Sequence, residues 1–138
     1  MTLSLDAMGG DQAPLMVVEG IEIAAERLPE ADFLLFGDEG KLGALLERYP
    51  KARARTSVHH TDEAVADEDK AAVALRAGRN TSMRLAINAV AEGRADAVVS
   101  SGNTGALMAM AKFVLKMLSG IERPARSEEH TSELQSLL

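Results

Sequence analysis

Hydrophobic positions follow two alternating habits along this chain. Short apolar runs are each followed by a longer stretch in which apolar residues return every three or four positions. Leu3-Ser4-Leu5 leads to Asp6, Phe33-Leu34-Leu35-Phe36 closes at Gly37-Asp38, and Ala97-Val98-Val99 closes at Ser100. These runs predict strands over 2–6, 32–37 and 97–100, the second apolar throughout as in a strand buried on both faces. Residues 55–59 read as a further strand. Helical spacing runs from Pro14 to about Arg27, with Val17, Gly20, Ile21, Ala24 and Leu28 on one side and Glu19, Glu22 and Glu26 toward water. A shorter helix over 41–48 turns Leu42, Leu45 and Leu46 inward and stops at Tyr49-Pro50. Another spans 71–77. Ser82 is placed to cap a helix over 83–92, whose inward stripe is Met83, Ala86, Ile87 and Val90, with Gly93 as its stop. The longest helix carries Leu107, Met110, Ala111, Val114, Met117 and Leu118 on one face and ends at Ser119-Gly120. Residues 61–70, acidic and polar, read as a solvated loop. Strands alternating with helices through short links predict an α/β fold, a doubly wound and mainly parallel sheet with helices on both faces.

In such sheets ligands lie beyond the carboxyl ends of the strands. Two loops leave strands at that edge. The first, residues 6–14, contains Gly9 and Gly10, which can take positive φ and approach a ligand closely. The second, Ser100-Ser101-Gly102-Asn103-Thr104-Gly105, feeds the longest helix, whose N-terminus offers free N–H groups and a positive pole to an anion such as phosphate. The spacing Gly102-x-x-Gly105 equally serves a plain change of direction; the convergence of the two loops favours a site. His59 and His60 would point to opposite faces of an extended chain, as at a strand end rather than in a metal pair. There is no G-x-G-x-x-G, G-x-x-x-x-G-K-[ST] or G-x-S-x-G, so nucleotide-binding and serine-hydrolase readings lack their motifs.

Composition narrows the picture further. The 138 residues suffice for one domain with a core. A formal net charge of −6 argues against a general nucleic-acid or anionic-membrane surface, though not against a local basic pocket. The absence of cysteine excludes disulfides, thiolate catalysis and cysteine metal sites. Aromatic residues are 3% with no tryptophan, so the core must be aliphatic and base-stacking platforms are lacking. No apolar run approaches a bilayer span, and Met1 leads into a strand rather than a signal peptide, so a cytoplasmic location is expected.

The character changes after Glu122-Arg123-Pro124-Ala125. Residues 126–138, RSEEHTSELQSLL, are polar where another strand is due. They resemble the in-frame translation of a sequencing-adapter oligonucleotide. Residues 1–125 therefore read as the N-terminal part of an α/β domain and 126–138 as a non-native tail, the alternative being a native acidic C-terminus. His130 carries no functional weight on the first reading.

Two stretches, Asp6-Ala7-Met8-Gly9-Gly10-Asp11 with Ala13-Pro14 and Ser100-Ser101-Gly102-Asn103-Thr104-Gly105-Ala106-Leu107-Met108, resemble the phosphate acyltransferases of bacterial phospholipid synthesis, the PlsX family. Ala74-Leu75-Arg76 through Thr81-Ser82-Met83, and Gly120-Ile121-Glu122-Arg123-Pro124-Ala125, fit the same family. Small departures are Thr81 where serine is usual, Ser101 where alanine is usual and Ala71 where proline is common. The large departure is truncation, since family chains continue well beyond Ala125.

The resemblance implies an isocitrate/isopropylmalate dehydrogenase-like α/β fold. It implies an enzyme that moves a fatty acyl group from acyl carrier protein to inorganic phosphate, giving acyl phosphate, with no cofactor and no metal. It further implies a homodimer at full length and peripheral membrane contact through the missing part, with no nucleic-acid partner. Phosphate is already anionic and nucleophilic, so the chemistry needs a cradle and oxyanion donors rather than an activated serine or cysteine. Candidate catalytic residues are Asn103, Thr104 and Asp6. Candidate phosphate- or substrate-binding residues are Gly9, Gly10, Gly102, Asn103, Thr104, Gly105 and Arg76, with Arg79 as a further counter-charge. Asp6 or Asp11 would orient a donor, or simply cap the loop; Ser82 would only cap its helix; Arg76 and Arg79 would ligate or stand in solvent. Two alternatives remain: a phosphate acetyltransferase-like enzyme acting on coenzyme A thioesters, and a non-catalytic truncated domain.

Overall fold

The computed structural model describes residues 1–119; the readings of 120–125 and of the 126–138 tail lie outside the described residues. Four strands form one sheet in the order β3-β2-β1-β4, every neighbouring pair parallel. They are β1 (Thr2–Asp6), β2 (Asp32–Gly37), β3 (Thr56–His60) and β4 (Ala97–Val99). Among the described residues five helices connect them, α1 (Leu15–Arg27), α2 (Glu39–Leu46), α3 (Pro50–Arg55), α4 (Ala71–Ala77) and α5 (Ser82–Ala91), and α6 (Thr104–Ser119) follows β4. The α/β architecture with a parallel sheet is as the periodicity predicts.

Side-chain alternation along β1 and β2 divides the interior into two layers. Leu5, Phe33 and Leu35 face α1, α2 and α3, where they bury Val18, Ile21, Leu42, Leu46 and Ala52. Phe36 and Val98 face the other way, onto Met83, Ala86, Ile87 and Met110 of α5 and α6. Ser4 is the exception on this second face. It is fully buried, and its hydroxyl donates to the Ala86 carbonyl at 2.8 Å, tying β1 to the middle of α5.

Several local readings are corrected. The buried line of α1 is Val18, Ile21 and Ala25; Val17 and Ala24 flank it, while Gly20 and Leu28 are exposed. Glu22 is not simply solvated, because its Oε1 accepts the Ala52 N–H at 2.8 Å and caps α3. Tyr49-Pro50 does not end the helical region. Pro50 takes the first position of α3, where its missing N–H costs nothing. Asp38 caps α2 by accepting from the N–H groups of Gly40 and Lys41, which moves that helix two residues earlier than expected. These hydrogen bonds hold the Asp38 carboxyl below its ordinary range. His59 and His60 do diverge: His59 stacks on Phe36 with centroids 5.0 Å apart, and His60 Nδ1 accepts the Glu39 N–H.

Candidate functional site

The carboxyl edge of the sheet is organised by Asp6, the last residue of β1. Its side chain is buried, at 3% exposure. One oxygen accepts the Ser82 hydroxyl at 2.6 Å and the Met8 N–H at 3.1 Å; the other accepts the Ser100 hydroxyl at 2.9 Å. A carboxylate removed from water needs such donors, and two hydroxyls with one amide supply them without a cation. Ser82 opens α5 and Ser100 directly follows β4, so a single side chain ties β1 to both. The expectation that Ser82 is an N-cap is therefore corrected. Thr81 is the cap, accepting the Arg84 N–H at 3.3 Å, and Ser82, one residue inside the helix, turns its hydroxyl to Asp6.

The two glycine-containing loops touch backbone to backbone. A Cβ built on Gly9 would lie 2.6 Å from Asp6 Oδ2 and 3.0 Å from the Gly102 nitrogen; one on Gly102 would lie 3.2 Å from the Gly9 Cα. Gly10 adopts φ +98° beside the Ser101 carbonyl. Gly9 and Gly102 thus owe their identity to contact and Gly10 to conformation. The Gly102 N–H is already used, donating to Ser100 Oγ at 3.1 Å.

Asn103 is committed to architecture at both ends of its amide. Its Oδ1 accepts the Ala106 N–H at 3.1 Å as the N-cap of α6, and its Nδ2 lies 2.7 Å from the Asp69 carbonyl and 3.1 Å from that of Ala66. The 61–70 segment is accordingly no free solvated loop. Val65 and Thr61 are buried, Thr61 Oγ1 donates to the Asn80 carbonyl, and the segment straps across the start of α6. Asp67 in this strap shares a hydrogen bond with Asp11 of the first loop, and that contact with the neighbouring charge raises the Asp67 carboxyl above its ordinary value. Asp11 therefore faces another carboxyl.

Thr104 and Gly105, the first two residues of α6, are exposed. Their N–H groups precede any intrahelical acceptor and have no other partner among the described residues, nor does the Thr104 hydroxyl. These three donors follow within three residues of Gly102, which touches Gly9 beside Asp6, and lie at the positive end of a sixteen-residue helix. Arg76 lines a cavity with Arg79, Arg84 and Phe113. Of the candidates, the structure gathers Asp6, Gly9, Gly10, Gly102, Asn103, Thr104 and Gly105. Ser82 and Ser100, which hold Asp6, both lie in the motif stretches singled out in the sequence, but nothing there marks them as partners of Asp6.

Among the described residues no group of histidine, aspartate and glutamate side chains has the arrangement of a metal site, and no helix is long and apolar enough to cross a membrane.

Comparison with known proteins agrees with the motifs. The chain is 63% identical over 123 residues to a phosphate acyltransferase of Rhodospirillum centenum, covering 89% of this chain and 35% of the relative. It is 55% identical over 125 residues to one of Paramagnetospirillum magneticum, covering 91% and 36%. It is 58% identical over 123 residues to one of Granulibacter bethesdensis, covering 89% and 33%. The chain thus spans about a third of the length of these relatives. The family described as "Fatty acid synthesis protein" matches residues 1–130, and the chain belongs to that family.

Proposed function

We propose that the complete protein containing this chain is an acyltransferase that moves a fatty acyl group from acyl carrier protein to inorganic phosphate. The observation that carries the reading is the trio of unpartnered donors at the start of α6, the Thr104 and Gly105 N–H groups and the Thr104 hydroxyl, fixed by the Asp6 junction and the Asn103 cap. Relatives named phosphate acyltransferase support it.

Phosphate held at these donors keeps one oxygen free to attack the thioester carbonyl. The new C–O bond forms as the tetrahedral intermediate, which collapses with cleavage of the C–S bond; the thiolate leaves and takes up a proton. Products are acyl phosphate and the free thiol. The chain's contribution is position and charge, since preorganised donors need no reorganisation when charge develops. Asp6 acts by holding the two loops together, Gly9 and Gly102 by letting their backbones meet, and Asn103 by fixing the first turn of α6.

The remaining proposals are a cytoplasmic homodimer at full length, with peripheral membrane contact through the part of the protein missing from this chain, and an inactive isolated chain of 138 residues. The experiment is to rejoin residues 1–125 to the remaining length of the Rhodospirillum centenum relative and assay acyl-phosphate formation. Palmitoyl-acyl carrier protein and palmitoyl-coenzyme A are supplied in parallel. Turnover favouring the carrier-protein thioester is expected; preference for the coenzyme A thioester would support the phosphate acetyltransferase-like alternative.

A further inference from the structure

Two carboxyl groups reach the turn that opens α6 from opposite segments. Asp11 directly follows Gly10 in the first loop, and Gly10 packs on the turn: a Cβ built there would lie 3.2 Å from the Ser101 carbonyl. Asp67 belongs to the 61–70 strap. Its backbone carbonyl lies 3.3 Å from Asn103 Nδ2, and Asn103 immediately precedes Thr104. Just past the strap, the Ala71 Cβ is 3.8 Å from a Cβ built on Gly105, so the strap meets the helix start at two points. The Asp11 and Asp67 side chains share a hydrogen bond, which two carboxyls form only when one of them holds a proton. Both residues are exposed, and neither belongs to an ion pair among the described residues. The other charged groups of these segments give little relief. Glu68 adds its negative charge to that felt by Asp67. Asp69 turns back to accept the Ala66 N–H at 3.0 Å, Asp6 is held by Ser82, Ser100 and Met8, and Lys70 stands at the far end of the strap. On α6 no charged residue precedes Lys112. With one proton shared the pair carries a single negative charge. Once the proton is lost it carries two, and an anion at the start of α6 is repelled by both.

We propose that Asp11 and Asp67 form an electrostatic gate on the start of α6, admitting an anion while they share a proton and disfavouring it when both are ionised. The proposal rests on the reading of that turn as the phosphate cradle and names its regulation. Both residues act through charge rather than as ligands.

The test uses the rejoined full-length protein and sulfate, which stays a dianion throughout, so that the titration of phosphate itself does not enter. Sulfate binding is measured calorimetrically between about pH 4.5 and pH 8, a range that covers carboxyls at and above their ordinary values. In the parent, affinity is expected to fall as pH rises. Asp67→Asn should bind sulfate about twofold to tenfold more tightly than the parent near pH 8, with a flatter pH profile. Asp11→Asn should behave alike. Glu47→Gln removes the same charge at the end of α2 and should change nothing. The gain should vanish in about 1 M sodium chloride, where screening acts within about 3 Å. In the acyl-phosphate assay it should appear in KM for phosphate, with kcat unchanged. Thr104→Val separates the two readings. Sulfate bound equally well by the parent and by Thr104→Val would remove the cradle, and the gate with it. Weakened binding in Thr104→Val, beside Asp67→Asn and Asp11→Asn variants indistinguishable from the parent at every pH, would overturn the gate alone.

Discussion

The Asp6 carboxylate accepts the Ser82 hydroxyl at 2.6 Å, across 76 positions of sequence. With Ser100 on the other oxygen, this bond closes the sheet's carboxyl edge over β1, β4 and α5. Ser82→Ala leaves a buried carboxylate short of a donor, a loss of about 1.5–3 kcal/mol for a bond to a charged group. Asp6→Asn should cost a similar amount. Because both act through one contact, the double variant should lose clearly less than the sum. Urea unfolding of the four proteins measures this, and simple additivity would refute the coupling.

Gly9→Ala places a methyl 2.6 Å from Asp6 Oδ2 and 3.0 Å from the Gly102 nitrogen, so the two loops must separate. The expected loss is about 1–3 kcal/mol, the usual cost of overpacking. Gly20→Ala is the contrast. It is exposed within α1 with nothing inside 4 Å of the new methyl, and should stabilise by about 0.5–1 kcal/mol. Thermal melts of the pair decide whether glycine is required at one position and merely tolerated at the other.

Asn103→Ala removes both the cap of α6 and the anchor of the 61–70 strap. Loss of the cap costs about 1–2 kcal/mol. Loss of the anchor should appear separately, as faster proteolysis within residues 61–70. Unchanged cleavage there would show that Val65 and Thr61 hold the strap without Asn103.

The Asp11–Asp67 contact has a definite pH sign. The Asp67 carboxyl is raised by its hydrogen bond with Asp11 and by that residue's charge, so the folded state holds this proton more tightly than the unfolded state. The contact therefore favours folding at acid pH, and that contribution is lost as pH rises through the folded-state value. Asp67→Asn removes the repulsion and should raise the melting temperature near pH 7. The gain should shrink toward about pH 3, where carboxyls are protonated. A gain independent of pH would contradict the electrostatic origin.

The strands and most helices were legible because each is written in local periodicity. Legibility failed where a residue has two local uses or a distant partner. Pro50 reads as a stop after one helix and serves as the first residue of the next. Thr81 and Ser82 are adjacent hydroxyls, either of which can cap α5; only the position of Asp6 assigns them. Glu22 sits on a charged stripe, and its use as the cap of α3 depends on a partner thirty positions away. At the candidate site, the glycines and the start of α6 could be named from sequence. Their contacts could not, since Gly9 meets Gly102 only once β1 and β4 are neighbours.

The central claim is that the exposed start of α6 cradles phosphate, and Thr104→Val tests it most directly, in the complete enzyme. The change keeps the shape of the side chain and removes its hydroxyl donor. Acyl-phosphate formation is measured against phosphate concentration on variants shown to be folded, with Gly20→Ala as the control. The account predicts a fall of roughly a hundredfold to a thousandfold in rate, about 2.7–4 kcal/mol, for loss of one donor to developing charge. Turnover of Thr104→Val equal to that of the parent would contradict it and reduce the Gly102–Gly105 turn to a change of direction.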